Sequence, residues 1–231
     1  MTPWTLIDSS EIPGSHGERE GELRLYGRGA EYSIMLAGGG GELMSSRMHG
    51  SEDALAELGC RHLGATPQPR VLIGGLGMGF TLAAALRTLG SDAVVTVAEL
   101  IPAVVRWNRE HLGLLAGRPL DDPRCHIHPG DVAVPLKQGR QAFDAILLDV
   151  DNGPEGLTQR NNNWLYSPEG LQAAFSALRP DGVLAVWSAG PEPAFSERLR
   201  RTGFLLEEHR VRAHGRGKGA RHTIWVASRG N

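Results

Sequence analysis

The sequence predicts a doubly wound, mostly parallel α/β sheet of seven strands with an antiparallel C-terminal hairpin, preceded by a small N-terminal β-region. Three observations lead there. Residues 71–99 read as strand, glycine turn, helix and second strand: Val71-Leu72-Ile73 runs into Gly74-Gly75-Leu76-Gly77-Met78-Gly79, and an alanine- and leucine-rich stretch continues as far as Gly90. Residues 143–148 form a near-continuous apolar run, the mark of a strand covered on both faces of a parallel sheet. The last two apolar runs, 204–211 and 223–227, are joined by a stretch too short and too rich in glycine for a helix, so they must pair antiparallel.

The elements come in order. Residues 5–7 make one short strand. The runs LRLY, EYSIML and ELMSS between residues 23 and 46 suggest a small antiparallel sheet with a loose glycine tip. Ser51 reads as a helix cap, with Glu52 and Asp53 in the first turn and Ala54, Leu55 and Leu58 along one face of a helix reaching about residue 63. Pro67 and Pro69 mark a hinge. After the strand at 94–98, Pro102 opens a helix to about residue 115. A turn at 121–124 leads to a strand at 125–128. The polar connection 150–166 is long enough to be functional. Ser167, Pro168 and Glu169 then start a helix ending near residue 179, succeeded by a strand at 183–187 and a helix at 193–202.

Length and composition narrow the function classes. A chain of 231 residues with 41% apolar content buries a full core, most simply as a β-region at 1–50 and a main domain at 51–231. Its formal charge of −2 gives no general pull toward nucleic acid, which is disfavoured as a partner. The basic stretch 212–221 reads as a solvated hairpin loop. No apolar run approaches the roughly 18 residues a membrane span needs, and the N-terminus lacks a signal-peptide pattern, so a cytoplasmic protein is expected. Cys60 and Cys125 are too few for a disulfide framework. His126 and His128 share a strand face without further ligands, so no metal site is expected.

The chemistry gathers at strand ends. A glycine turn leading into a helix presents main-chain N–H groups and partial positive charge, and Glu99, about 20 residues on, stands where an acceptor for ribose hydroxyls belongs. Asp131, Asp149 and Asp151 also come just after predicted strands, where ligands of doubly wound sheets bind. Gly75, Gly77 and Gly79 leave one free position between successive glycines, against the two that the nicotinamide pattern wants. A nicotinamide oxidoreductase is therefore disfavoured.

From about residue 33 to 179 the chain resembles the spermidine synthase-like family, within the Rossmann-like class I S-adenosylmethionine-dependent methyltransferase fold. VLIGGLGMG is similar to its glycine motif, VTVAELIP to its ribose-binding strand end, DPRCHIHPGD to the stretch that sets an aspartate by the adenine, and FDAILLDVDNGP to the segment with the catalytic aspartate. LQAAFSALRPDGVLAV is similar to the helix and strand that succeed that segment in the family. The resemblance implies that Gly75, Gly77 and Gly79 line the donor, Glu99 binds its ribose, Asp131 meets its adenine, and Asp149 faces the acceptor with Asp151 as helper. It also brings His49 and Glu52 to the pocket. Trp164 and Tyr166, on the long connection, either close over substrate or anchor the loop.

Departures from the family set the order of the readings. Its aminopropyltransferases carry an aspartate in the glycine turn, where this chain has Gly77, and a glutamine and a Tyr-His-Glu run, where it has residues 46–52 without tyrosine. An aminopropyl ammonium without a carboxylate partner is costly to bury, and Arg47 would repel a polyamine if it lined the pocket. The first expectation is thus methyl transfer from S-adenosylmethionine to a small-molecule amine or hydroxyl. The alternatives are aminopropyl transfer from decarboxylated S-adenosylmethionine and a non-catalytic nucleoside-binding protein. A homodimer is compatible with the sequence, which does not fix the oligomer.

Overall fold

The computed structural model describes residues 2–13, 19–38, 41–150, 164–214 and 218–230. Four strands, β1 (Thr5–Pro13), β2 (Arg19–Arg28), β3 (Glu31–Leu36) and β4 (Gly41–Ser45), form an antiparallel sheet in the order 1-2-3-4. The first is longer than the three residues expected, because β2 supplies pairing partners along its whole length. Asp8 ties this sheet to the rest of the molecule, accepting bonds from Trp107 Nε1 at 2.7 Å and Arg106 Nη2 at 2.6 Å.

The main sheet has seven strands in the order β10-β11-β9-β8-β5-β6-β7. These are β5 (Arg70–Gly74), β6 (Val94–Glu99), β7 (Cys125–Pro129), β8 (Phe143–Leu148), β9 (Leu178–Ser188), β10 (Phe204–His214) and β11 (Lys218–Arg229). β11 runs antiparallel between β9 and β10, and the β5–β9 pairs are parallel. The fold class is the one the sequence predicts. Strand alternation sorts the apolar residues to two faces. Val71 and Ile73 join the core beneath α1 (Gly50–Cys60), α2 (Phe80–Thr88) and α3 (Pro102–Trp107). Leu72 joins the other core, beneath α4 (Ala133–Gln138), α5 (Pro168–Ala177) and α6 (Pro193–Thr202).

Some boundaries differ from expectation. α1 begins at Gly50 with His49 at its cap position, so Ser51 lies inside the first turn. The helix after Pro102 changes pitch, passing into a π turn at Asn108–Leu112 and then a tight turn at Gly113–Ala116. α4 is a helix the apolar pattern does not announce, six residues long with Pro135 inside it. The start of α5 is as read: Ser167 Oγ accepts from Gly170 N–H, with Pro168 in the first turn.

Candidate active site

Register brings the strand ends together. Gly74 of β5 stands level with Ala98 of β6 and Leu148 of β8, so Gly75, Glu99 and Asp149 emerge at one edge of the sheet. Glu99 pairs with Pro129, which sets Asp131 just beyond the same edge. Main-chain bonds lock the group: Gly75 N–H donates to Ala98 O and Asp149 N–H to Gly74 O, both at 2.9 Å. β6 and β8 flank β5 on opposite sides, and the chain order reverses there, at the place where doubly wound sheets open a ligand crevice.

A cavity of about 100 Å³ lies at this point, lined by Gly75, Gly77, Glu99, Asp131, Asp149 and apolar side chains including Ile12, Ile34 and Met44 of the small sheet. Gly75 has φ +89°, and a Cβ there would run into the Asp149 carbonyl oxygen. That position excludes every side chain. Gly77 has φ +52°, and a Cβ there would stand 3.0 Å from Met44 Sδ. The methionine therefore borders the space where the family's aspartate would project. Asn108 Nδ2 donates to Gly77 O at 2.8 Å and fixes the turn from the π-turn side.

Two carboxylates of this cavity, Glu99 and Asp131, are held by backbone. Glu99 is 8% exposed; its Oε2 accepts from Leu76 N–H at 2.9 Å and its Oε1 from Ile101 N–H at 2.8 Å. It braces the glycine turn while facing the cavity. Asp131 Oδ1 accepts from Ala133 N–H at 2.8 Å, near the start of α4.

A second cavity of about 240 Å³ adjoins the first. Leu43, Met44, Gly77 and Asp149 line both. Its other walls include Ser51, Glu52, Phe80, Trp187 and His222. Thr81 Oγ1 donates to Asp149 Oδ2 at 2.6 Å, a bond that favours the ionised carboxylate and orients it. Burial works the other way, pushing Asp149 up to about 6. Glu52 is pushed up to about 7 by burial and by repulsion from Asp149. Two carboxyls in one cavity, both shifted toward neutrality, suit proton exchange with a bound base.

Of the residues singled out in the sequence, the structure brings Gly75, Gly77, Glu99, Asp131, Asp149 and Glu52 to the two cavities. Gly79 instead holds the cap position of α2 at φ +84°. His49 turns away: its Nδ1 lies 2.8 Å from Asp53 Oδ2 and its ring stacks on Phe80. Trp164 sits under Lys137 Nζ at 4.2 Å, and Tyr166, 3% exposed, donates to Val150 O at 3.3 Å and packs edge-on against Phe195. These two anchor the end of the long connection to the core. Arg47 is exposed and absent from both linings. Asp151 lies outside the described residues. Sequence reasoning missed Thr81, the one polar residue at the start of an otherwise apolar helix, and that contrast was its signal. His222 carried no local signal.

Fold and site define a doubly wound α/β protein with a ligand crevice at its switch point and an acidic second chamber beside it. The chain belongs to the spermine/spermidine synthase family, whose domain matches residues 56–195, more than half its length. It is 36% identical over 127 residues to polyamine aminopropyltransferase 1 of Streptomyces coelicolor, covering 54% of this chain and 23% of that protein. It is 29% identical over 121 residues to a polyamine aminopropyltransferase of a Thermoanaerobacter species, covering 52% of this chain and 41% of that one. The match thus spans less than half the length of these relatives. Spermidine synthase from Thermotoga maritima has the same fold, with a TM-score of 0.73 at 21% identity over 97% of this chain and 73% of that one. A spermidine synthase in complex with the transition-state analogue AdoDATO gives the same score and identity over 97% and 72%. Among the described residues no helix is long and apolar enough to cross a membrane.

Proposed function

We propose that this chain transfers an aminopropyl group from decarboxylated S-adenosylmethionine to an amine acceptor, the donor in the first cavity and the acceptor in the second. The observation that carries this reading is the junction: two chambers meet at one carboxylate, Asp149, with Glu99 and Asp131 on one side and Glu52 on the other. Carboxylates on both sides suit a doubly positive donor and a cationic acceptor. The names of the relatives, polyamine aminopropyltransferases, point the same way and reverse the order of the readings reached from sequence.

The residues present fit such a donor. Glu99 would take the ribose hydroxyls and Asp131 the adenine edge, and the intervening atoms would lie against the glycine turn, where neither Gly75 nor Gly77 carries a side chain. The donor supplies a carbon already activated by its sulfonium. The chain's task is to position the acceptor nitrogen, exclude water and remove a proton. Asp149, oriented by Thr81, faces both chambers and stands to pair with the donor ammonium, for which Gly77 offers no carboxylate. Glu52, raised to about 7, accepts in its ionised form the proton that the acceptor must lose to become a nucleophile.

Methyl transfer from intact S-adenosylmethionine remains the second reading, favoured by Gly77 and by Met44 beside it. Incubation of the purified protein with either donor and a panel of mono-, di- and polyamines decides between them. Methylthioadenosine from the decarboxylated donor supports aminopropyl transfer. S-adenosylhomocysteine from the intact donor supports methyl transfer and overturns the proposal, and no nucleoside product from either donor sinks both.

A further inference from the structure

The acceptor chamber contains a connected set of side chains of which the transfer step uses Glu52 but neither Ser51 nor His222. Ser51 Oγ donates to Glu52 Oε2 at 2.6 Å and lies 2.9 Å from His222 Nδ1. Ser51 and Glu52 open α1, whereas His222 stands on β11, 171 positions away. Ser51 is buried, with 1% of its surface exposed. The His222 ring is half-buried and sits edge-on to Trp187, centroids 4.7 Å apart at 69°. Ser51, Glu52, Asp149 and His222 line the same cavity.

A hydroxyl both donates and accepts, so Ser51 joins a carboxylate to an imidazole in either direction. An acceptor filling the chamber displaces the water that would otherwise carry its proton away. We propose that His222 is the proton outlet of the acceptor site, drawing the proton from Glu52 through the Ser51 hydroxyl. This inference rests on the amine-acceptor reading. The N–H bond of the acceptor ammonium breaks, its electron pair stays on nitrogen as the nucleophile, and the proton bonds to Glu52. Glu52 then donates to Ser51 Oγ as the Ser51 proton moves to His222 Nδ1. The resulting imidazolium releases its Nε2 proton to water, and exchange with water restores the starting tautomer.

The surroundings favour release over storage. Burial holds His222 below the usual histidine range. Its strand partner is Val211 of β10, and Trp187, Ala189, Ala213 and Ala220 share its chamber as neutral neighbours. Among the described residues, the charged groups around it include Glu52 and Asp149 in the same chamber, Asp53 on α1, Arg221 and its strand partner Arg212, and Glu207, paired with His209 and Arg61, further along β10. In the relay His222 acts on the reaction through Ser51 and Glu52, and as a wall of the chamber it also borders the acceptor, so its removal should lower turnover more than it weakens acceptor binding.

Two measurements test this. In the substrate-free protein, the ring resonances of His222 should titrate at lower pH in Glu52→Gln, which removes an anion that favours imidazolium, and should lose the Nδ1 hydrogen-bond signature in Ser51→Ala. An unchanged titration in Glu52→Gln together with an unchanged signature in Ser51→Ala overturns the connection. In turnover with amine and decarboxylated donor, His222→Gln keeps a hydrogen-bonding side chain but carries no proton. Its kcat should fall by about 10²-fold, well beyond any change in KM for the amine, and added imidazole should restore kcat in His222→Ala. A His222→Gln enzyme with wild-type kcat and pH profile ends the relay while leaving the amine reading intact. A wild-type enzyme that turns over no amine ends both.

Discussion

The two cavities that meet at Asp149 are built by different means. In the first cavity, proposed for the donor, the carboxylates are clamped by main chain, Glu99 by Leu76 and Ile101 N–H and Asp131 by Ala133 N–H, while the Gly77 carbonyl accepts from the Asn108 side-chain amide. Four parallel strands deliver these groups at one register. In the second cavity, proposed for the acceptor, the bonds run from side chain to side chain: Thr81 to Asp149, Ser51 to Glu52, and Ser51 to His222, across α2, α1 and β11. Backbone clamps give a chamber of set shape. Side-chain chains give one whose charge responds to pH and whose specificity can change by a few substitutions.

Asp149 belongs to both chambers, and its loss should have the largest effect. Asp149→Asn is expected to lower turnover by about 10²-fold or more and to weaken calorimetric binding of the decarboxylated donor, whose ammonium loses its partner. Turnover within a factor of ten of wild type would break the view that transfer happens at this junction.

Next in size is a pure backbone test of the donor chamber. Gly75→Ala combines a left-handed φ with a collision against the Asp149 carbonyl, which costs about 1–3 kcal/mol. Thermal unfolding should drop accordingly and donor binding should vanish. If the variant melts like wild type, the rigidity argued for this side is wrong.

The acceptor chamber should instead reveal itself through pH. Glu52 and Asp149 have folded-state values raised to about 7 and about 6, above the ordinary carboxylate range. The folded protein therefore binds more protons than the unfolded chain. The associated stability is present in full below the ordinary carboxylate values and is lost as pH rises through about 6 to 7. Melting temperature of the free protein should fall across that window, and Glu52→Gln should remove most of the slope. A flat wild-type profile would contradict the burial of these two carboxyls in the folded protein.

The smallest effect is expected at Asn108. Asn108→Ala removes one bond to the glycine turn, worth roughly 0.5–1.5 kcal/mol. The donor should bind about 2- to 10-fold more weakly while KM for the acceptor stays put. A change in acceptor KM alone would mean that the turn serves the other chamber.

These contrasts explain which parts of the molecule were legible in the chain. The donor side was readable because its groups come directly after strand-turn patterns: an apolar run, then Gly75, Glu99, Asp131 or Asp149. Asp149 carries that reading into the acceptor side as well. Glu52 came only through the family resemblance. Ser51 has the look of a helix cap, yet Gly50 already belongs to α1, and the Ser51 hydroxyl serves Glu52 and His222 instead. α4 escaped notice because six residues with a central proline show no helical period. β10 and β11 are longer than their apolar centres, because antiparallel pairing extends through residues such as Arg212 and Arg221 whose side chains stay outside the core.

By itself the order of residues determined the layered sheet, the reversal of strand order beside the glycine turn and the line of carboxylates along one edge, because each arises from local periodicity and the handedness of parallel connections. Tertiary structure alone decided which carboxylates share a chamber, how far burial moves them toward neutrality, and that a histidine 171 positions from Ser51 completes the set. Those outcomes depend on distance and desolvation between segments remote in the chain, which no local pattern encodes.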